Sequence, residues 1–214
     1  MTLLACQVLV LAKEPVPGRV KTRLGPALTP AQAAAVAAAA LADTLTAVAA
    51  TPVVRRLLVL DGELTFPVPT GTEVLRQRGD SLAERLEAAF ADAGDALPSL
   101  LVGMDTPQLT CDLLTQAVRA LLRTDAVLGL AVDGGWWALG LRRPAPGAFR
   151  GVPMSTSRTG VLQARRLAEL GLSTTSLPVL RDVDTAADLA AVVGRLPPGS
   201  ALAALLAARP VRAA

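Results

Sequence analysis

Short apolar runs alternate with helix-length segments along most of the 214 residues, and that alternation restricts the chain to few architectures. The runs are Leu3 to Leu11, Val53 to Leu60, Ser99 to Gly103, Asp125 to Val132 and Leu172 to Leu177, with a shorter one at Glu73 to Gln77. Helices are predicted between them. Thr29 can cap the first, with Pro30 at its opening position, and its alanine-rich body runs to about Ala50. Asp80 or Ser81 can cap the second, with Glu84 as the capping-box partner. A third runs from about Thr110 to Arg123, and a fourth follows Ser157 and stops at Gly171. Strands alternating with helices predict an α/β fold, Rossmann-like, whose mostly parallel sheet carries helices on both faces. Asp133-Gly134-Gly135 reads as a hairpin turn into Trp136 to Leu141, which makes the sheet mixed. No repeat or second domain is visible, so residues 1–214 read as one domain, ending in a weak helix and a frayed tail over 197–214.

Composition narrows the chemistry. Hydrophobic residues make up 52% of the chain but aromatic ones only 2%, so Ala, Leu and Val must fill the core. No apolar run reaches spanning length free of charge and proline, and the alanine tract 31–42 is short, so no membrane span is expected. The first residues lack a basic leader. Cys6 and Cys111 show no pairing pattern, which fits a reducing, cytoplasmic setting. A net charge of +3 with no Tyr and three Phe gives no basic stripe with stacking rings, so nucleic acid is not an expected partner. The absence of histidine excludes a Ser-His-Asp triad, a histidine base and a histidine metal ligand. Any metal must therefore sit on oxygens, which favours Mg2+ or Mn2+.

The candidate site begins where the first strand breaks. Lys13, Arg19, Lys21 and Arg23 place four cations in eleven residues, and Lys13 and Lys21 are the only lysines in the chain. Gly18 allows close backbone approach. Such a loop after a first parallel strand suits a phosphorylated ligand, against the alternative of a solvated charged loop. Asp105 follows the strand ending at Gly103 and is either a cation ligand or a turn aspartate. Asp133 is either a hairpin turn residue or the group that orients or deprotonates an acceptor. Trp136 and Trp137 should point to opposite faces, one ring free to stack on a sugar or base. Asp184 is either a helix cap, with Asp188 in the first turn, or a second oxygen ligand beside Asp105. Ser155 and Arg158 either cap the next helix or touch acceptor or phosphate.

Taken together, these residues resemble the nucleotide-diphospho-sugar transferase superfamily of GT-A fold. The chain looks most similar to a bacterial family of candidate glycosyltransferases, and more distantly to the guanylyltransferases of molybdenum cofactor and of phospholactate. The resemblance rests on Leu11-Ala-Lys-x-Pro-x-Pro-Gly-x-x-Lys-Thr-Arg-Leu24, Gln77-Arg-Gly-Asp-x-Leu82 with Glu84-Arg85, Gly103-x-Asp-x-Pro107, Asp133-Gly-Gly135 and Asp182-Val-Asp-Thr-x-x-Asp-Leu189. It implies that the first loop, from Leu11 and Ala12 onward, binds nucleotide phosphates. It also implies that Asp105 is the metal ligand, Asp184 a second metal contact, and Gly79 and Asp80 neighbours of the base or ribose. The chain departs from the pattern at Met104, where relatives favour a small polar residue, at Ala83, where glycine is usual, and at the Trp pair, where relatives are tyrosine-rich. No Asp-x-Asp pair is present.

The expected activity is metal-dependent transfer of a glycosyl group from a nucleotide-sugar to a small acceptor, with Lys21, Asp105 and Asp133 at the chemistry. The alternatives are nucleotidylyl transfer from a nucleoside triphosphate to a phosphorylated small molecule, and non-catalytic nucleotide binding. The oligomeric state is not legible.

Overall fold

The computed structural model describes residues 2–25 and 27–208. Its first strand, β1 (Leu4–Lys13), buries five consecutive residues, Cys6 to Val10. Val8 and Val10 pack on one face and Leu9 on the other, as a central strand covered on both sides requires. Parallel β2 (Val53–Asp61) and then β3 (Thr72–Arg76) lie to one side of β1. Parallel β4 (Ser99–Gly103) lies to the other. Beyond β4 come antiparallel β6 (Trp136–Leu141), β5 (Ala126–Ala131) and, at the edge, β7 (Thr174–Leu180), giving the order β3-β2-β1-β4-β6-β5-β7. The hairpin strand therefore sits inside the sheet, between β4 and β5. β7 runs past Leu177 through Pro178, which an edge strand tolerates because no neighbour needs its missing N–H.

Helices cover both faces. On one, α1 (Pro30–Ala50) and α3 (Cys111–Leu121) set Ala34, Ala37, Leu41, Leu114 and Val118 against Val8, Val10, Leu58 and Val102. On the other, α2 (Leu82–Ala93) and α4 (Thr159–Glu169) set Leu86, Ala89 and Leu167 against Leu9, Leu57, Leu101 and Leu139. Each such Leu contributes roughly 1.5–3 kcal/mol by leaving water. The alanines let α1 lie close to the sheet. Thr29 and Gln32 close a capping box at its start. By length and composition this 21-residue helix could cross a membrane, but 61% of its most apolar window is buried, and it serves here as a core helix.

A third apolar cluster positions the site. Leu24, on a 3₁₀ turn over Thr22–Leu24, joins Val36 of α1, Val183, Leu189 of α5 (Ala186–Val193) and Leu202 of α6 (Ala201–Ala208). The expected tail helix is thus docked against the cationic loop's own anchor. Residues 209–214, expected as a frayed end, lie outside the described residues.

Candidate functional site

Strand order reverses at β1, which pairs with β2 on one side and β4 on the other. The last β1–β4 pair is Leu11 with Gly103. Two residues further along each chain stand Lys13 and Asp105, at the crevice where α/β sheets place ligands. A cleft of about 850 Å3 opens there. Leu11, Ala12, Lys13, Arg19, Lys21, Arg23, Asp80, Asp105, Asp133, Trp136, Trp137, Ser155 and Asp184 all line it. Gly18, Gly79 and Arg158 do not. Gly18 shapes the loop with a φ of 79°, Gly79 has a φ of 118° and a Cβ there would strike Glu84, and Arg158 is exposed at the N-cap of α4.

Lys21 is the centre of the site. Its Nζ lies 2.6 Å from Asp105 Oδ1 and 2.9 Å from Asp184 Oδ1, with only 5% of its side chain exposed. Burial alone would lower the lysine pKa, but Asp105 and Asp184 outweigh it, so the pKa is raised and the ammonium is kept. The backbone of Lys21 is left-handed, with a φ of 50°. Ser155, across the cleft, has a φ of 59°, and these are the two positive-φ residues other than glycine among the described residues. Strain of this kind persists where surroundings over-determine the backbone. Arg23 stands 3.6 Å from Asp184 and is largely exposed.

Asp184 is not a helix cap. Thr185 caps α5, closing a box with Asp188, and that leaves Asp184 one residue outside the helix and free to face Lys21. The loop after β7 reaches the end of β4 through three contacts. Val183 N donates to Asp105 O at 2.9 Å, Gln108 Nε2 to Arg181 O at 2.7 Å, and Thr106 Oγ1 to Asp182 Oδ1 at 3.0 Å. Asp182 also lines the cleft. Its carboxyl is pushed up to about 7 by burial first, and then by Asp105 and Asp133, against the Thr106 hydrogen bond and Lys21. Met104 does not reach toward a ligand: it is buried, and its Sδ accepts from Lys13 N at 3.2 Å, tying the two strand ends together.

On the β2–β3 side, Gln77 Nε2 donates to Ala12 O at 2.8 Å and Val59 O at 3.0 Å. Arg85 is held by Asp61 at 2.9 Å and by Gly79 O at 3.1 Å. Asp80 is exposed there, its amide donating to Glu84 Oε2 at 2.8 Å. On the opposite side, Asp133 Oδ1 accepts from Gly135 N at 2.8 Å, so the turn function is real, and the exposed carboxylate still faces the cleft. A Cβ on Gly134 would stand 2.0 Å from Ser157 O, and Gly160 N donates to Gly134 O at 2.8 Å. The Asp133 turn and the Ser155–Ser157 loop therefore form one tightly apposed wall. The two Trp rings part as alternation requires. Trp136 stacks on Phe149 with centroids 6.3 Å apart. Trp137 is buried, lies on Gly129 where a Cβ would meet its ring, and donates Nε1 to Pro178 O at 2.9 Å.

Sequence reasoning did not assign Gln77, Arg85, Thr106, Met154 or Asp182 to the site, though all five line the cleft. Gln77, Arg85 and Asp182 fell within motifs already singled out. Thr106 and Met154 carry no local signal.

The donor set can be tested for a metal. Among the described residues no three His, Cys, Asp or Glu side chains converge to cage a cation by themselves. Asp105 and Asp184 nevertheless offer oxygens to one point, now held by Lys21 Nζ. Two carboxylates completed by phosphate and water is the arrangement magnesium accepts, and manganese also suits oxygen donors. The residues fit a divalent cation bound jointly with a phosphorylated ligand.

Residues 33–156 match the family described as uncharacterized proteins conserved in bacteria, DUF2064. The chain belongs to this family. The match includes Asp80, Asp105, Asp133, Trp136 and Ser155, while the cationic loop and Asp184 lie outside it. No curated protein matches this DUF2064 chain in sequence. Among solved structures it is similar to a candidate nucleotide-diphospho-sugar transferase from Desulfovibrio desulfuricans, with 27% identity, a TM-score of 0.84, and 97% of this chain and 95% of that one covered. It also shares its fold with Rv0371c of Mycobacterium tuberculosis, solved in complex with manganese, at 20% identity and a TM-score of 0.54, covering 89% and 98% of the two chains. A third is 2-C-methyl-D-erythritol 4-phosphate cytidylyltransferase of Thermus thermophilus, at 15% identity and a TM-score of 0.57, covering 96% and 99%. The DUF2064 chain thus has the nucleotide-diphospho-sugar transferase fold.

Proposed function

We propose that this DUF2064 protein is a divalent-cation-dependent transferase that takes a nucleotide-sugar and passes its glycosyl group to a small acceptor in the cytoplasm. The observation that carries the reading is Lys21 held between Asp105 and Asp184 at the switch point, in a cleft that Lys13, Arg19 and Arg23 also line. Lys13, Arg19 and Arg23 line the same cleft as the buried Lys21, and the oxygens of a diphosphate would give these cations charged partners. Asp105 and Asp184 would hold Mg2+ or Mn2+, which neutralises charge on the leaving diphosphate when bound. With the carboxylates so occupied, Lys21 Nζ would pair with the phosphate oxygens instead. The sugar C1–O bond to phosphate breaks as the acceptor hydroxyl attacks C1. Asp133 would receive the hydroxyl proton: one of its oxygens holds the turn, and its exposed carboxylate lines the cleft. Leu11, Ala12 and Asp80 line the β1–β3 side, where the nucleoside would lie.

Nucleotidylyl transfer is the second reading. It is favoured by the number of cations, which suits a triphosphate, and by the fold shared with a cytidylyltransferase. Thermal shift with nucleotide-sugars, nucleoside diphosphates and triphosphates, each with and without magnesium or manganese, separates the readings. A metal-dependent shift largest with a nucleotide-sugar is expected. A preference for triphosphate over every nucleotide-sugar overturns glycosyl transfer, and no metal-dependent shift with any nucleotide points to a non-catalytic binder.

A further inference from the structure

The charges lining the cleft are segregated by strand order. The cations Lys13, at the end of β1, and Arg19, Lys21 and Arg23, in the loop after it, lie on one side. Arg85, on the β2–β3 side, is spent on Asp61. The other half, past β4 toward β6 and β5, is walled by the Asp133 turn, the Ser155–Ser157 loop, Met154 and Trp136, with Asp182 held by Thr106 just after β4. No Lys or Arg lines that half among the described residues; Arg158, next to Ser157, is exposed and outside the lining, and Arg181, next to Asp182, is paired with Asp188.

This wall cannot easily rearrange to bring a cation in. Gly134 is pressed against the Ser157 carbonyl, Gly160 is bonded to Gly134, and Trp136 is fixed on Phe149. An anionic molecule entering there meets the Asp133 carboxylate and an aromatic face, and the nearest cation, Lys21, is already held by Asp105 and Asp184. Like-charge juxtaposition of that kind is how a site rejects a class of ligand. A hydroxyl or ammonium group instead finds acceptors on Asp133 and hydroxyl partners on Ser155 and Ser157, and an aromatic face favours a cation or a sugar ring over an anion.

We infer that the acceptor half of the cleft takes a neutral or positively charged polyol or amine, and excludes phosphorylated and carboxylated acceptors. This rests on the transferase reading above and sharpens it. It also counts against nucleotidylyl transfer to a phosphate monoester, whose nucleophile is itself an anion.

The test uses the chain's own reporter. Trp137 is buried and Trp136 lines the acceptor half, so collisional quenching by small ions senses chiefly Trp136. Caesium and iodide quenching would be compared in the metal-free and nucleotide-free protein, each normalised to free N-acetyltryptophanamide, with Trp136→Phe giving the Trp137 background. Caesium should quench at least about twofold better than iodide, and Asp133→Asn should narrow that gap. Iodide quenching as well as caesium or better would overturn the inference. In the complex with nucleoside diphosphate and magnesium, glucosamine should shield Trp136 from acrylamide more than glucose 6-phosphate does; the reverse order would overturn it too. Loss of nucleotide binding would be seen separately, by thermal shift, and would count against the transferase reading and not against the charge preference of this wall.

Discussion

Lys21 Nζ lies 2.6 Å from Asp105 Oδ1, joining the loop after β1 to the end of β4. The same nitrogen reaches Asp184, 163 residues further along the chain. A lysine at that point does the electrostatic work of a cation, holding together two carboxylates that would otherwise repel. Lys21→Ala should therefore have three effects. Nucleotide affinity should fall roughly 10- to 100-fold, the equivalent of one charge-assisted hydrogen bond. Stability should drop by about 1–3 kcal/mol, less than for a deeply buried pair because both carboxylates are more than a third exposed to water. Magnesium, without nucleotide, should bind the variant more tightly than the native protein and restore part of the lost stability. Calorimetric titration and urea unfolding with and without magnesium check all three. Unchanged nucleotide affinity would remove Lys21 from the phosphate site.

Local signals carried most of the fold. Ser81 with Glu84 and Thr29 with Gln32 form their capping boxes within four residues of chain, so propensity and spacing suffice to find them. Gly103 ends β4 where the apolar run stops. Most candidate residues legible in the sequence line the cleft, but how they pair was not legible there. Asp184 looked as much like a cap as a ligand because Asp and Thr both cap helices well, and only the three-dimensional path of the loop decides that Thr185 takes the role. Asp182 gave no sign of its environment, since its burial depends on Thr106 and the end of β4, 76 positions away. Trp137 could not be told from Trp136 in the sequence. Gly129, on the neighbouring strand, makes the room that takes its ring.

Asp182 carries a pH dependence with an unusual sign. Its carboxyl is raised from the ordinary 3.8 to about 7, so in that interval the folded chain holds a proton that the unfolded chain has released. Its contribution to stability is fully present below pH 3.8 and is lost as the pH rises through about 7. Asp182→Asn, which cannot ionise, should flatten the stability profile between about pH 4 and 7 and should be more stable than the native protein above about pH 7. Chemical unfolding in a chelating buffer across that range measures it. Parallel profiles for the two proteins would show that Asp182 ionises normally in the folded state.

The two thiols should differ sharply. Cys6 is fully buried in β1, its Sγ donates to Pro98 O at 3.1 Å, and burial raises its pKa to about 12. Cys111, at the first position of α3, is partly exposed. An aromatic disulfide reagent at pH 8 should therefore modify one thiol in the native protein, and two after denaturation. Cys111→Ser should abolish the native reaction. Fast modification of both thiols would mean that β1 opens far more readily than a central strand should.

Asp43 should matter to the site without touching it. It is the one acidic residue in α1, and it is buried. One oxygen accepts from Ala201 N at 2.6 Å, the other from Ser200 Oγ at 2.6 Å and Leu202 N at 3.1 Å, so it satisfies donors at the start of α6. Removing it leaves buried N–H groups without partners, at a cost of about 1–3 kcal/mol each where water cannot reach them. Asp43→Ala should therefore lower stability by about 2–4 kcal/mol and speed amide exchange in α6. The effect should spread, because Leu202 of α6 shares one apolar cluster with Leu24, three residues after Lys21, and with Val183, the neighbour of Asp184. Loosening that cluster lets the two loops drift apart, so nucleotide affinity should fall several-fold even though no ligand contact is deleted. Asp43→Asn, which keeps the side-chain oxygen, should retain most of the affinity. A stability loss in Asp43→Ala with nucleotide affinity unchanged would show that the cluster supports the fold but does not set the spacing of Lys21 and Asp184.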